Sequence, residues 1–124
     1  MLRILVVDEE PAVRAAVSMA LRRAGHDAVE VCNGKAGLRA LQDGGFDAVV
    51  TDVRVLERTG VELLRALRAI GRPVPVLAMS GGSAYGADAV RPMVQLLDAE
   101  ATLSKPFVPA ELVAAVEAIA ADAA

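Results

Sequence analysis

Four apolar runs in this chain each end in a residue that could bind a metal or phosphate, or move a proton. Asp8 and Glu9 follow Arg3-Ile-Leu-Val-Val7, and Asp52 follows Ala48-Val-Val-Thr51. Ser80 follows the run ending at Met79, and Ser104-Lys105-Pro106 follows Ala101-Thr-Leu103. Three carboxylates gathered in one crevice repel each other, so a cation is needed to keep them all charged. Oxygen-only ligands suit Mg²⁺, which keeps several waters, uses few protein carboxylates and often shares a phosphate oxygen. No His or Cys stands at these four run ends to argue for zinc. Lys105 can place a second positive charge opposite the metal. A metal ion and an ammonium around a carboxylate make a site for phosphoryl transfer, where catalysis is mostly positioning and charge neutralisation. Asp52 is then the nucleophile, giving an acyl phosphate, and Ser80 donates a hydrogen bond to a phosphoryl oxygen. Each residue alone has a plainer explanation: Asp8 as a helix N-cap, Ser80 as a turn residue, Lys105 as an exposed lysine. Separate plain explanations do not account for the agreement of all four run ends.

The elements that must position these residues alternate regularly. Arg3 to Val7 reads as a buried strand, and Pro11 suits the first turn of a helix whose apolar stripe is Val13, Ala16, Val17, Ala20, Leu21 and Ala24, closed by Gly25. Asp27 to Cys32 forms a second strand. Gly37, Leu38 and Leu41 mark a short helix ended by Asp43-Gly-Gly45, and Ala48 to Thr51 a third strand. Gly60, Leu63, Leu64, Leu67 and Ile70 trace a helical face that stops at Gly71 and Pro73. Val74 to Met79 is the fourth strand and Ala101 to Leu103 the fifth. Between them, Gly81-Gly82 and Pro92 predict a loop and a short or kinked fourth helix. Leu112, Val113, Val116 and Ile119 form the stripe of a last helix opened by Pro109. Five strands alternating with five helices imply a doubly wound α/β fold. Its parallel sheet takes the order 2-1-3-4-5, with ligands bound beyond the carboxyl ends of the strands.

At 124 residues the chain suits one domain, residues 1–124, around one core. Hydrophobic residues make up 55% of it and aromatic residues 2%, so the core must be Val, Leu, Ile and Ala, as in parallel sheets covered by helices. A formal net charge of -3 leaves no basic stripe for a phosphate backbone, which argues against a nucleic-acid partner. Cys32 is the single cysteine, so a reducing, cytoplasmic setting is expected, with the thiol as a small buried hydrophobe. The stretch Ile4 to Val7 is too short for a signal peptide or a membrane span, and no membrane partner is expected. His26 falls in a predicted turn and reads as a surface residue. Tyr85 and Arg91 read either as partner contacts or, at least as readily, as solvated or packing residues.

The ordered set of motifs resembles the receiver domain of two-component response regulators. Leu5-Val-Val-Asp-Glu-Glu-Pro11 is similar to its first-strand acidic motif, Ala48-Val-Val-Thr-Asp52 to its phosphorylation strand, and Gly60 to the glycine opening its third helix. Leu77-Ala-Met-Ser-Gly81 is similar to its hydroxyl motif and Leu103-Ser-Lys-Pro-Phe107 to its lysine motif. The resemblance implies the flavodoxin-like (CheY-like) three-layer sandwich. It also implies that Asp8, Glu9, Asp52 and the backbone carbonyl of Arg54 hold Mg²⁺, that Asp52 is phosphorylated, and that Ser80 and Lys105 sense the phosphoryl group. The implied donor is a phosphohistidine on a sensor histidine kinase or histidine phosphotransfer protein. The domain would act as a switch with slow self-dephosphorylation rather than as a conventional enzyme, presenting helix 4, strand 5 and helix 5 to a downstream protein target. A phosphorylation-dependent homodimer is a further partnership it allows.

Three departures from the pattern concern output. Leu56 replaces a proline four residues after Asp52, Thr102 replaces an aromatic switch residue three before Lys105, and the fourth helix is broken. A small polar side chain cannot fill the cavity of Tyr or Phe, so a non-standard output surface is expected between Gly81 and Thr102. The alternative is a receiver-like adaptor that is never phosphorylated. A phosphatase or phosphotransferase using an aspartyl phosphate would favour a second acid where Arg54 stands. A flavin carrier would need a Ser/Thr-rich phosphate loop where the chain is acidic.

Overall fold

The computed structural model describes residues 1–52, 74–81 and 99–123. The helix expected from Gly60 to Ile70, the loop and fourth helix after Gly81, and Arg54, Leu56, Tyr85 and Arg91 lie outside the described residues. In chain order the described elements are β1 (Arg3–Val7), α1 (Pro11–Arg23), β2 (Asp27–Val31), α2 (Gly34–Asp43), β3 (Ala48–Asp52), β4 (Val76–Gly81), β5 (Ala101–Lys105) and a C-terminal helix (Pro109–Ala123). The five strands form one parallel sheet in the order β2-β1-β3-β4-β5, as expected from the alternation of elements.

The apolar runs are continuous because both faces of the sheet are covered. Successive side chains of a strand point to opposite faces, and the core accordingly divides in two. Ile4, Val6, Ala48, Val50, Leu77 and Met79 face Val17 and Leu21 of α1 and Leu112, Val116 and Ile119 of the C-terminal helix. Leu5, Val7, Val49 and Val76 face the other way and pack with Leu41 of α2, Phe46 and Val74. Helix boundaries follow local chemistry. Pro11 opens α1, and Gly25 beyond its end takes φ 90°. The Asn33 side chain accepts from the Ala36 N–H at 2.8 Å to cap α2, which ends at Gly44 with φ 77°.

The amino ends of the strands are tied by polar contacts. Asp47 Oδ2 accepts from the Arg3 N–H at 2.8 Å, and the Arg3 guanidinium lies 4.6 Å from the Phe46 ring centre. Glu100 Oε2 accepts from the Val76 N–H at 2.6 Å. His26 is not the surface residue expected: its side chain is 9% exposed, Nδ1 accepts from the Leu2 N–H at 3.1 Å, and Nε2 lies 3.5 Å from Glu117 on the C-terminal helix.

Several boundaries shift with consequences. β4 starts at Val76 rather than Val74, and both β4 and β5 run two residues beyond their expected ends. The cause is their mutual pairing, Ser80 with Ser104 and Gly81 with Lys105, which continues the ladder through polar residues. β2 stops at Val31, because Asn33 is committed to capping α2. Cys32 therefore sits in the intervening turn and is exposed, not buried as expected. Among the described residues, no helix is long and apolar enough to cross a membrane.

Gly37 on α2 rides over β1, and a Cβ built there would lie 3.5 Å from Val7 Cγ2, an ordinary contact. Gly37→Ala is therefore expected to raise stability by about 0.5–1 kcal/mol through helix propensity. Urea unfolding measures it; a loss of stability instead would mean that α2 cannot accept a methyl against Val7 and Val31.

Candidate functional site

The parallel sheet places the carboxyl ends of all its strands along one edge, and most of the candidate residues lie there. Asp8 directly follows β1 and is fully buried, with its N–H donated to Val31 O at 3.2 Å. Its Oδ1 accepts from the Glu10 N–H at 2.9 Å, so Asp8 folds its own loop although Glu10 is the N-cap residue of α1. Its Oδ2 accepts from Lys105 Nζ, also at 2.9 Å. Asp52 ends β3 and is 4% exposed, with Oδ2 lying 3.5 Å from the same Lys105 Nζ. The structure thus brings Asp8, Asp52 and Lys105 together from three elements.

Ser80 is half-buried on β4, one residue past Met79, the in-register neighbour of Asp52. Glu9 is exposed at the rim. Thr102 is exposed on β5, paired with Ala78. Arg54 lies outside the described residues. Among the described residues, no three His, Cys, Asp or Glu side chains gather as a metal-binding group. Two buried carboxylates, Asp8 and Asp52, share one lysine. The Asp8 carboxylate is engaged by the Glu10 N–H and Lys105, and Glu9 is exposed beside it.

Asp8 and Asp52 bring two buried carboxylates to Lys105 at this edge. Neighbouring carboxylates favour a cation beside them at such a place. Its donors are all oxygens, and Mg²⁺ ordinarily takes only one or two protein carboxylates and fills its remaining positions with water and phosphate. The residues present fit such an ion.

Arg14 was not legible as part of this region, because a charged residue on an amphipathic helix reads as solvent-facing. Its side chain is only 19% exposed, and Nη1 donates to Asp8 O at 2.8 Å and more weakly to Glu9 O at 3.4 Å. Beside the site, a groove of about 510 Å³ is lined by Glu10, Val13, Ala16, Lys105, Phe107 and Pro109.

The sequence matches the response regulator receiver domain family over residues 4–117. Among curated proteins it is 38% identical over 119 residues to the transcriptional regulatory protein PrrA of Mycobacterium tuberculosis, covering 94% of this chain and 49% of that protein. Response regulator MprA of Mycolicibacterium vanbaalenii is 35% identical with the same coverage. The chain thus spans about half the length of the curated relatives it matches. Among solved structures, chemotaxis response regulator CheY4 of Vibrio cholerae superposes with a TM-score of 0.81 at 26% identity, covering 96% of this chain and 98% of that one. The receiver domain of sensor histidine kinase PA1611 from Pseudomonas aeruginosa, solved with a magnesium ion coordinated in its active site cleft, gives 0.82 at 26% identity and covers 97% of this chain and 98% of that one. With sheet order, sequence match and structural likeness in agreement, the chain belongs to the response regulator receiver domain family and has its CheY-like, flavodoxin-type fold.

Proposed function

We propose that residues 1–124 work as a single phosphoacceptor receiver domain in a cytoplasmic two-component phosphorelay, with Asp52 as the residue phosphorylated. The observation that carries this reading is the Lys105 ammonium lying 2.9 Å from Asp8 and 3.5 Å from Asp52 at the carboxyl edge of the sheet. An aspartate at a strand end, nearly buried and beside a cation, is poised to attack phosphorus. A carboxylate oxygen of Asp52 forms the new O–P bond as the N–P bond to the donor histidine breaks, and the imidazole leaves with the electron pair. Asp8, Glu9, Asp52 and the Arg54 carbonyl would hold Mg²⁺, which when bound supplies neutralisation of the phosphoryl oxygens. Lys105 balances the charge of Asp52 before transfer and pairs with a phosphoryl oxygen after it. Ser80 approaches the same group from β4 and donates a hydrogen bond.

The domain is a switch rather than a conventional enzyme, since the phosphoryl group it accepts ends as a signal on Asp52. Its donor is a sensor histidine kinase or a histidine phosphotransfer protein, and the groove between α1 and the segment after β5 gives such a partner an apolar surface next to Lys105. Its downstream target is a protein that reads the surface around β5 and its neighbouring helices, where Thr102 is exposed. A second copy of this chain is one candidate for that target. The relative PrrA is named as a transcriptional regulatory protein, but the acidic charge of this segment assigns no DNA contact to it.

Incubation with Mg²⁺ and a small phosphodonor, followed by intact-mass measurement, should show one phosphoryl adduct on the parent and none on Asp52→Asn. An adduct that survives the Asn change would move the site elsewhere, and no adduct on either protein would favour the unphosphorylated adaptor. Lys105 has a separate signature, because its ammonium pairs with the buried Asp8 carboxylate and lies 3.5 Å from that of Asp52. Lys105→Met is expected to cost about 3 kcal/mol in chemical unfolding, and adding Asp52→Asn should return part of that loss. Unchanged stability in Lys105→Met would remove Lys105 as the counter-ion.

A further inference from the structure

Arg14 lies in the first turns of α1, and its guanidinium reaches back over the acidic loop. Nη1 donates to the carbonyl of Asp8 at 2.8 Å and also points to that of Glu9 at 3.4 Å. Nε lies 3.9 Å from Glu30 Oε1 on β2, while the other oxygen of Glu30 is 3.8 Å from Arg22. The guanidinium is thus oriented by the neighbouring strand, and it anchors the backbone of two consecutive acidic residues through their carbonyls. The Asp8 carboxylate is meanwhile held from the other side by the Glu10 N–H. A loop fixed at both its carbonyls and its amide has little freedom to turn its side chains away from the sheet edge.

We propose that Arg14, oriented by Glu30, is a positioning residue that pre-sets the loop of Asp8 and Glu9 to receive Mg²⁺. It touches neither metal nor phosphate; it acts through the backbone. The proposal rests on the metal reading given above for Asp8, Glu9 and Asp52. Position and charge make opposite demands on this residue, which allows them to be told apart. A positive charge close to a dication site repels the ion, so if charge were all that mattered, its removal would tighten Mg²⁺ binding. If Arg14 positions the loop, its removal loosens binding, and Lys, which keeps the charge but lacks the planar fork, fails to replace it fully.

The test is calorimetric titration of the whole chain with MgCl₂, with circular dichroism checking that each variant is folded. Arg14→Ala is expected to raise the Mg²⁺ dissociation constant about tenfold, the range typical of groups that orient metal ligands. Arg14→Lys should fall between it and the parent. Arg22→Ala, which removes the other partner of Glu30 from a side chain that is 56% exposed, should bind as the parent does. If Arg14→Ala binds as tightly as the parent or more tightly, the positioning role is overturned while the metal site stands. If Arg14→Ala does not fold, Arg14→Lys decides, and parental affinity in it overturns the proposal. A folded parent that takes up no Mg²⁺ would overturn the metal reading and this inference with it.

Discussion

A lysine ending the last strand must touch a carboxylate buried after the first, across 97 positions of chain. This contact sets a demanding condition on the whole fold. The strands from β1 across β3 and β4 to β5 must be present and in register, because a slip of one residue turns each side chain to the opposite face. The pairings of Val7 with Thr51, Asp52 with Met79 and Gly81 with Lys105 therefore carry information about the site as well as about the core. The two apolar layers make that register unique, since Ile4 and Leu5 must face different sets of helices.

The same contact explains how charge is tolerated so deep. Isolated buried carboxylates are costly, and pairing offsets the cost only when geometry and hydrogen bonding are good. Asp8 meets that condition, with one oxygen on the Glu10 N–H and the other on Lys105. Asp52 is held less closely by the same ammonium. The two carboxylates thus differ in how closely the shared ammonium approaches them.

The fold was legible because its signals were redundant: β-branched runs, apolar stripes, Pro11 and Pro109 at helix starts and glycines at helix ends all agreed. Asp8, Asp52 and Lys105 were legible because each stood where an apolar run gave way to polar residues. Other features were hidden for physical reasons. Run ends marked by hydrophobicity stop short of the true strand ends, since Ser80, Ser104 and Lys105 continue the ladder with polar side chains. Cys32 was expected inside on residue type, yet the cap at Asn33 leaves it in a turn. His26 was expected outside on its turn position, yet a backbone amide and the C-terminal helix enclose it. Arg14 gave no signal, because its partners are backbone carbonyls that have no letter in a sequence.

The ties at the amino ends of the strands lie at the opposite pole of the sheet from the acidic edge. Arg3, Asp47, His26 and Glu100 clasp backbone there, and their contacts among the described residues are separate from those of Asp8 and Lys105. Substitutions at separated sites with no common partner combine nearly additively. Substitutions at the amino pole are therefore expected to change stability while leaving the contacts among Asp8, Asp52 and Lys105 in place. A lineage moving to a warmer niche could strengthen that pole and leave the geometry of the acidic edge as it is.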